Sequence, residues 1–328
     1  MKNIIFFSNV SKTPSGGIKI INQFSSYINS LNGYKSSIIE LEKNKFYKWI
    51  GSLKKKISKQ EKDFTGWKYS ELKTKNNKKL SLNKKKDFVI LPEIFAHFAE
   101  DFLINDEIPY AIFVQNGYAI FPTNENKKLD LAYKKAKFIL SYSKDIDECI
   151  SLAFPNSKNK ILKVVPSVDS RKLNVRSKKI NLITYMPRKL PKHSELVISF
   201  LKKKLPSNWK IKSIENLPEF KVFKILEKSK IFLSFSELEG LGLPPIEAAL
   251  AGNKVVGYTG EAGKEYWKKP IFTEIKNGDV KLFCEKIFNN LNLKNFVQKT
   301  KIQRRKISIK YSLLNEEKSI RNFLKKIN

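Results

Sequence analysis

Two cysteines, Cys149 and Cys284, and two histidines, His97 and His193, are all that 328 residues hold of the soft metal-binding and disulfide-forming side chains. They share no CxxC or zinc-ligand spacing, so neither a disulfide framework nor a structural zinc is expected. Long apolar runs are missing too. No charge-free stretch approaches the ~18 residues of a spanning helix, and Ile4-Ile5-Phe6-Phe7 is too short for the apolar core of a secretory leader. That run suits a buried strand, and a cytoplasmic protein is expected. Glycine and proline, 13 each, are too few for collagenous or low-complexity sequence, while 41% hydrophobic and 12% aromatic residues suffice for a packed core. At ~100–200 residues per domain, the length suggests two domains.

Acids are the other scarcity. Asp and Glu number 31 against 64 Lys and Arg, a formal net charge of +33. The excess is uneven: residues 43–86 carry 16 lysines and only Glu61, Asp63 and Glu71 as acids. Such a segment favours polyanions, and beside Phe46, Tyr47, Trp49, Trp67 and Tyr69 it admits a nucleic-acid-binding reading. No recognisable nucleic-acid module accompanies it, so nucleic acid is not the expected partner. Peripheral contact with an anionic membrane is the alternative use of the charge, and a plain solvated lysine-rich surface is the third.

Elsewhere the pattern alternates. Asn3 to Phe7 predicts a strand, Ser11 to Gly17 a loop, Ile18 to Leu31 a helix with Ile18, Ile21, Phe24, Ile28 and Leu31 on one face, and Ser36 to Leu41 a second strand. Residues 43–86 read as a basic insertion without clear period. Short apolar runs at 88–91, 111–114 and 138–141 suit buried parallel strands. Residues 1–166 thus form an N-terminal α/β domain, and the polar stretch 167–179 a linker. Alternation restarts with strands at 181–186, 210–214, 231–235 and 254–258 and helices at 193–204, 219–228 and 244–251, giving a second doubly wound domain over 180–310 and a C-terminal helix over 311–328 that packs back on the first. The expected fold is α/β: two Rossmann-like domains facing across a cleft, with ligands beyond the carboxyl ends of the strands.

The chemistry concentrates in Ile231 to Tyr258. A strand is expected to end near Ser234-Phe235-Ser236. A loop then holds Glu239-Gly240-Leu241-Gly242-Leu243, and a helix opens at Pro244-Pro245, where proline is favoured. The glycines permit close backbone approach, and the helix start offers free N–H groups to an anion. Glu239 and Glu247 border that anion site. Carboxylates repel a bare phosphate but accept hydrogen bonds from sugar and ribose hydroxyls, and a nucleotide-sugar supplies both chemistries. An acid in a first helical turn also gains ~0.3–1 kcal/mol from the macrodipole without any function.

This run resembles the donor signature of retaining group-1 (family 4-like) glycosyltransferases, two glutamates separated by seven residues within E-G-F-G-L-P-P-x-E, with Leu241 in the usual aromatic place. The likeness continues in Tyr185-Met186-Pro187-Arg188-Lys189, in Val255-Val256-Gly257-Tyr258, and faintly in Tyr311-Ser312. The resemblance implies the GT-B architecture. It also implies that Glu247 holds the ribose, Glu239 the donor sugar, and the amides of Gly240 to Leu243 the sugar and diphosphate. Arg188 with a following lysine would neutralise the diphosphate. The family's lysine stands five residues on; here Lys189 and Lys192 stand one and four on, and both remain candidates. Cations of this kind can stabilise a leaving diphosphate in place of a metal.

Asp145 and Asp147 follow an apolar strand and resemble a helix start, not a metal motif. No metal or other cofactor is therefore expected. Ser15-Gly16-Gly17 matches the family's glycine loop near donor phosphates and acceptor, while the absence of GxGxxG argues against a dinucleotide dehydrogenase. His97 and Gln115-Asn116 follow strands that should point the same way, although an ordinary buried or surface role suits His97 better.

The activity implied is retaining transfer from a nucleotide-sugar to a glycan or lipid-linked acceptor, in cell-surface glycan or glycolipid synthesis, on the inner membrane face. Glu239 is the residue expected to stabilise the oxocarbenium-like state. A GT-B-like epimerase or phosphorylase shares the architecture and is the rival within it.

Overall fold

The computed structural model describes residues 2–9, 15–42, 73–74 and 82–327; of the basic insertion, 43–72 and 75–81 lie outside the described residues. The chain divides into two compact units, one comprising the described residues of 1–142, 146–164 and 323–328, the other 143–145 and 165–322.

The first unit is built on a seven-stranded sheet. Strands β1 (Lys2–Asn9) and β2 (Tyr34–Glu42) flank helix α1 (Gly16–Asn29). The short β3 (Lys73–Thr74) follows, then β4 (Asp87–Pro92), β5 (Tyr110–Phe113), β6 (Phe138–Ser141) and β7 (Ile161–Lys163). Their spatial order is 3-2-1-4-5-6-7. All neighbours are parallel except β2 and β3, which pair antiparallel through Leu41 with Thr74 and Glu42 with Lys73. Strand β4 is buried along its whole length, as a central strand covered on both faces must be. Helix α1 buries Ile20, Ile21, Phe24 and Ile28 on one stripe, at ~1.5–3 kcal/mol for each large apolar side chain fully buried. It stops where Asn29 takes over the backbone pairing of Ser36, accepting from its N–H at 2.7 Å and donating to its C=O at 2.9 Å. Helices α2 (Asn126–Lys135) and α3 (Lys144–Ala153) follow β5 and β6. Asp147 in α3 accepts from Ser141 and pairs with Lys163 at 2.8 Å, so the Asp145-x-Asp147 pair does open a helix. The end of the last helix counts with this unit: Phe323 sets its ring edge against Phe88 at 5.7 Å, and Lys2 Nζ donates to Ile327 O at 2.6 Å.

The second unit holds five parallel strands: β8 (Leu182–Tyr185), β9 (Lys210–Ser213), β10 (Ile231–Glu239), β11 (Lys254–Glu261) and β12 (Phe272–Glu274). Their order is 12-11-10-8-9. Helices α4 (Pro191–Lys204) and α7 (Val280–Phe288) join Ile183, Leu233 and Val256 in one core through Leu201 and Phe283, while α5 (Glu219–Lys228) packs on β8 and on α6 (Leu243–Leu250). Helices α8 (Phe296–Lys299), α9 (Lys301–Lys310) and α10 (Leu313–Ile327) complete the chain. The edge strand β9 turns Lys210 and Lys212 outward, a charge arrangement that discourages edge-to-edge pairing. Residues 165–180 are fastened to this unit: Ser167 N–H donates to Glu316 at 2.7 Å, Val168 N–H to Tyr311 O at 2.9 Å and Asn174 N–H to Glu227 at 2.8 Å.

Each sheet reverses its strand order once, between β1 and β4 in the first and between β8 and β10 in the second. Open α/β sheets bind ligands beyond the carboxyl ends of the strands at such a reversal.

Candidate functional site

At the reversal of the second sheet, two segments leave strand ends side by side: Met186-Pro187-Arg188-Lys189 after β8, and Gly240 to Leu243 after β10. Two sequence expectations need correcting here. Strand β10 does not end near Ser236 but runs on to Glu239, because β11 continues beside it to Glu261; the ladder skips between Ser236 and Glu239, and Leu238 takes a φ of 43°. Glu239 is therefore the last residue of a bulged strand, a device that re-aims side chains. Helix α6 begins at Leu243 with Gly242 as its cap residue, which puts Glu247 in the second turn. The macrodipole gain falls off within the first turn, so the electrostatic alternative for Glu247 loses its basis.

Lys189 reaches Glu239, Nζ to Oε1 at 3.3 Å. Lys192 lies exposed on the first turn of α4 with no ion pair to a described residue, and Arg188 is exposed in the same condition. The geometry thus joins Lys189, not Lys192, to the glutamate. Glu247 is buried on α6.

The loop between the glutamates is held from below. Gly242 has a φ of +77°, a conformation that favours glycine, and Tyr266 Oη lies 3.0 Å from Leu241 O and 2.9 Å from Gly242 O. Burial, with Glu239 and Glu265 nearby, holds the Tyr266 phenol well above its ordinary pKa, so it stays protonated and donates. At the far end of α6, the Gly252 N–H bonds Ala249 O and the Asn253 N–H bonds Ala248 O, both at 3.0 Å, with Gly252 at φ +85°. This is a Schellman closure, as expected for Gly252 at the position after the helix. Asn253 adds its side chain: Nδ2 donates to Leu226 O at 3.0 Å and Ala248 O at 2.9 Å, and Oδ1 accepts from Ser229. Lys179 Nζ donates to Leu226 O at 3.0 Å and Ala251 O at 2.6 Å, tying the ends of α5 and α6 together.

The fold is shared with solved structures whose sequences differ widely from this one. Neither a protein-family model nor a curated protein matches the sequence. Among solved structures, a mutant of TarM from S. aureus in complex with fondaparinux, alpha-GlcNAc-glycerol and UDP is 12% identical and covers 100% of both chains at a TM-score of 0.68. HepE from Anabaena in complex with UDP and glucose is 9% identical, covering 99% of this chain and 100% of its own at 0.65. The lipopolysaccharide outer core galactosyltransferase WaaB in its apo form is 15% identical, covering 99% of each chain at 0.60. The fold is GT-B.

In this GT-B chain the first unit also gathers residues beyond the ends of its strands. Gly16 and Gly17 open α1 beyond the end of β1. Gln115, past β5, donates from Nε2 to Gly17 O at 3.0 Å, and a Cβ on Gly17 would meet Gln115 Oε1 at 2.4 Å. A side chain at position 17 would push the Gln115 amide from this place, so the glycine keeps the contact close. Beneath it lies Glu93, past β4. Its carboxylate accepts from the N–H of Gln115 and of Asn116, each at 3.1 Å, and Tyr142 donates to Gln115 O. Burial pushes the Glu93 carboxyl up to about 7 despite these amides. His97 is buried with its ring against Phe98 at 3.9 Å. Sequence reading missed Glu93 and Tyr266 altogether, since both act on backbone groups far along the chain; the only signal was an acid directly after an apolar strand at Pro92-Glu93.

Proposed function

We propose that the chain is a retaining glycosyltransferase that uses a nucleotide-sugar. The observation that carries this reading is the convergence of Lys189, Glu239, the Gly240 to Leu243 amides and buried Glu247 at the strand-order reversal of the second sheet, on a fold shared with solved glycosyltransferases. UDP in the TarM and HepE structures supports a nucleoside diphosphate as the leaving group.

In this reading, Glu247 accepts the two ribose hydroxyls, and the amides at the start of α6 receive the diphosphate with the dipole behind them. Glu239 accepts from donor-sugar hydroxyls. Arg188 and Lys189 supply positive charge as the C1–oxygen bond to the diphosphate breaks. The acceptor hydroxyl bonds C1 on the face the diphosphate leaves, and its proton passes to the departing phosphate oxygen, so configuration is kept. Lys189 is the lysine favoured, because it pairs with Glu239 at 3.3 Å. A glycan or lipid-linked acceptor, and work at the cytoplasmic face of an anionic membrane, fit the basic segment 43–86. Among the described residues no helix is long and apolar enough to cross a membrane.

A thermal-shift screen of UDP, ADP, GDP and their sugars tests the donor site, because ligands of the native state raise Tm by mass action. A rise with at least one diphosphate, and transfer that persists in EDTA, are expected. No rise with any of them, together with salt-sensitive nucleic-acid binding, would support the rival reading; turnover of free sugar phosphate would favour a phosphorylase or epimerase.

A further inference from the structure

The Tyr266 phenol has one proton and two carbonyl oxygens within reach, those of Leu241 and Gly242. A trans peptide points its C=O and N–H in opposite directions. Holding these two oxygens toward Tyr266 therefore turns the N–H groups of Gly242 and Leu243 the other way, off the buried phenol. Those two amides find no turn, loop or cap carbonyl among the described residues.

Both peptides border Gly242, whose φ of +77° and missing side chain make a flip of either plane easy. In the flipped state the carbonyl oxygens, which carry partial negative charge, would face an incoming phosphate. The phenol removes that state. Its ring is fixed edge-on to Phe272 at 5.5 Å and to Tyr311 at 6.0 Å. The next residue back, Glu265, is pinned by Lys310 at 2.9 Å and by the Tyr311 hydroxyl at 3.3 Å. Room is tight above as well, because a Cβ on Gly242 would stand 3.2 Å from the phenol oxygen.

We propose that Tyr266 is a positioning residue for the donor loop, a latch that locks the Leu241–Gly242 and Gly242–Leu243 peptides with their amides presented to the diphosphate. The proposal rests on the donor-site reading above and adds to it a residue outside the E-x7-E run.

The test is Tyr266→Phe, which keeps the ring and removes only the hydroxyl, titrated calorimetrically beside the parent with UDP, ADP and GDP and with uridine, adenosine and guanosine. The expected result is a parent that binds one diphosphate and its nucleoside, and a variant that binds the nucleoside as the parent does but the diphosphate about tenfold or more weakly, since donors to charged groups are the stronger class. Unchanged diphosphate affinity, or equal losses for nucleoside and diphosphate, overturns the latch and leaves the donor site standing. A parent that binds none of the three diphosphates overturns the donor site and the latch with it. Carbonyl-carbon and amide NMR of the parent covers a variant that fails to fold. On saturation with the diphosphate, the amides of Gly242 and Leu243 should shift while the carbonyls of Leu241 and Gly242 hold; carbonyl shifts of the size of a peptide flip overturn the proposal.

Discussion

Asn253 is fully buried where α6 ends, and its amide serves three partners at once: Leu226 O at 3.0 Å, Ala248 O at 2.9 Å and the Ser229 hydroxyl. Replacing it with alanine removes all three bonds. Two of the orphaned groups keep other partners, because Lys179 still donates to Leu226 O and the backbone N–H at 253 still donates to Ala248 O. The loss is therefore the net worth of three bonds, about 1 kcal/mol each, without a full desolvation penalty: about 2–4 kcal/mol, or roughly 5–15 °C in Tm for a unit of this size. Asn253→Asp should cost more than alanine although it nearly matches asparagine in size, because it sets a carboxylate oxygen against two carbonyl oxygens. Calorimetric melting of parent, Asn253→Ala and Asn253→Asp should rank them in that order. An aspartate variant as stable as the parent, or an alanine variant within 0.5 kcal/mol of it, the usual range of surface substitutions, would refute the role given to the amide donors in holding the helix that carries Glu247.

Glu247→Ala should weaken binding of the preferred nucleoside diphosphate by about tenfold or more, the worth of one charge-assisted hydrogen bond, while Glu239→Ala spares the bare nucleotide and lowers turnover; calorimetry with matched melting curves decides. Lys179, whose pKa burial lowers to about 7 with Arg304 reinforcing the shift, binds its proton less readily folded than unfolded. Stability should accordingly rise as pH climbs from about 7 toward the ordinary lysine value, and Lys179→Met should flatten that slope in denaturant titrations between pH 6.5 and 9.5. Liposome flotation should show binding that requires anionic lipid and fades with salt, and equal recovery with neutral vesicles would leave the 43–86 lysines as solvated surface.

Much of the fold could be read from local pattern because the central strands are continuous apolar runs; helix α5 appears over the expected 219–228. Where side chains are short of apolar signal, legibility stops. Ser236-Glu237-Leu238-Glu239 resembles a loop, yet pairing with β11 makes it strand. In α2, lysines at 127, 128, 134 and 135 mask the buried stripe of Leu129, Ala132 and Tyr133, and β7 and β12 span three residues each, too few to show a period. The E-x7-E run was legible because its parts adjoin in sequence. Tyr266 acts on carbonyls 24 and 25 residues upstream and Glu93 on amides 22 and 23 residues downstream, and no spacing rule links a side chain to a backbone group that only the fold brings near.

Two antiparallel backbone rungs pair residue 41 with 74 and residue 42 with 73 at the edge of the first sheet. Residues 42 and 73 are thus neighbours at the edge of the sheet although far apart in sequence. Lengthening a flexible connection between two neighbouring points costs little, about 0.6 kcal/mol for each doubling of its length. Replacement or lengthening of residues 43–72 is therefore expected to leave the melting of the rest of the chain, including the elements that carry Gly17, Glu93 and Glu247, as in the parent. Grafting a foreign segment between residues 42 and 73 is then the natural way to change the charge of the chain while keeping the fold.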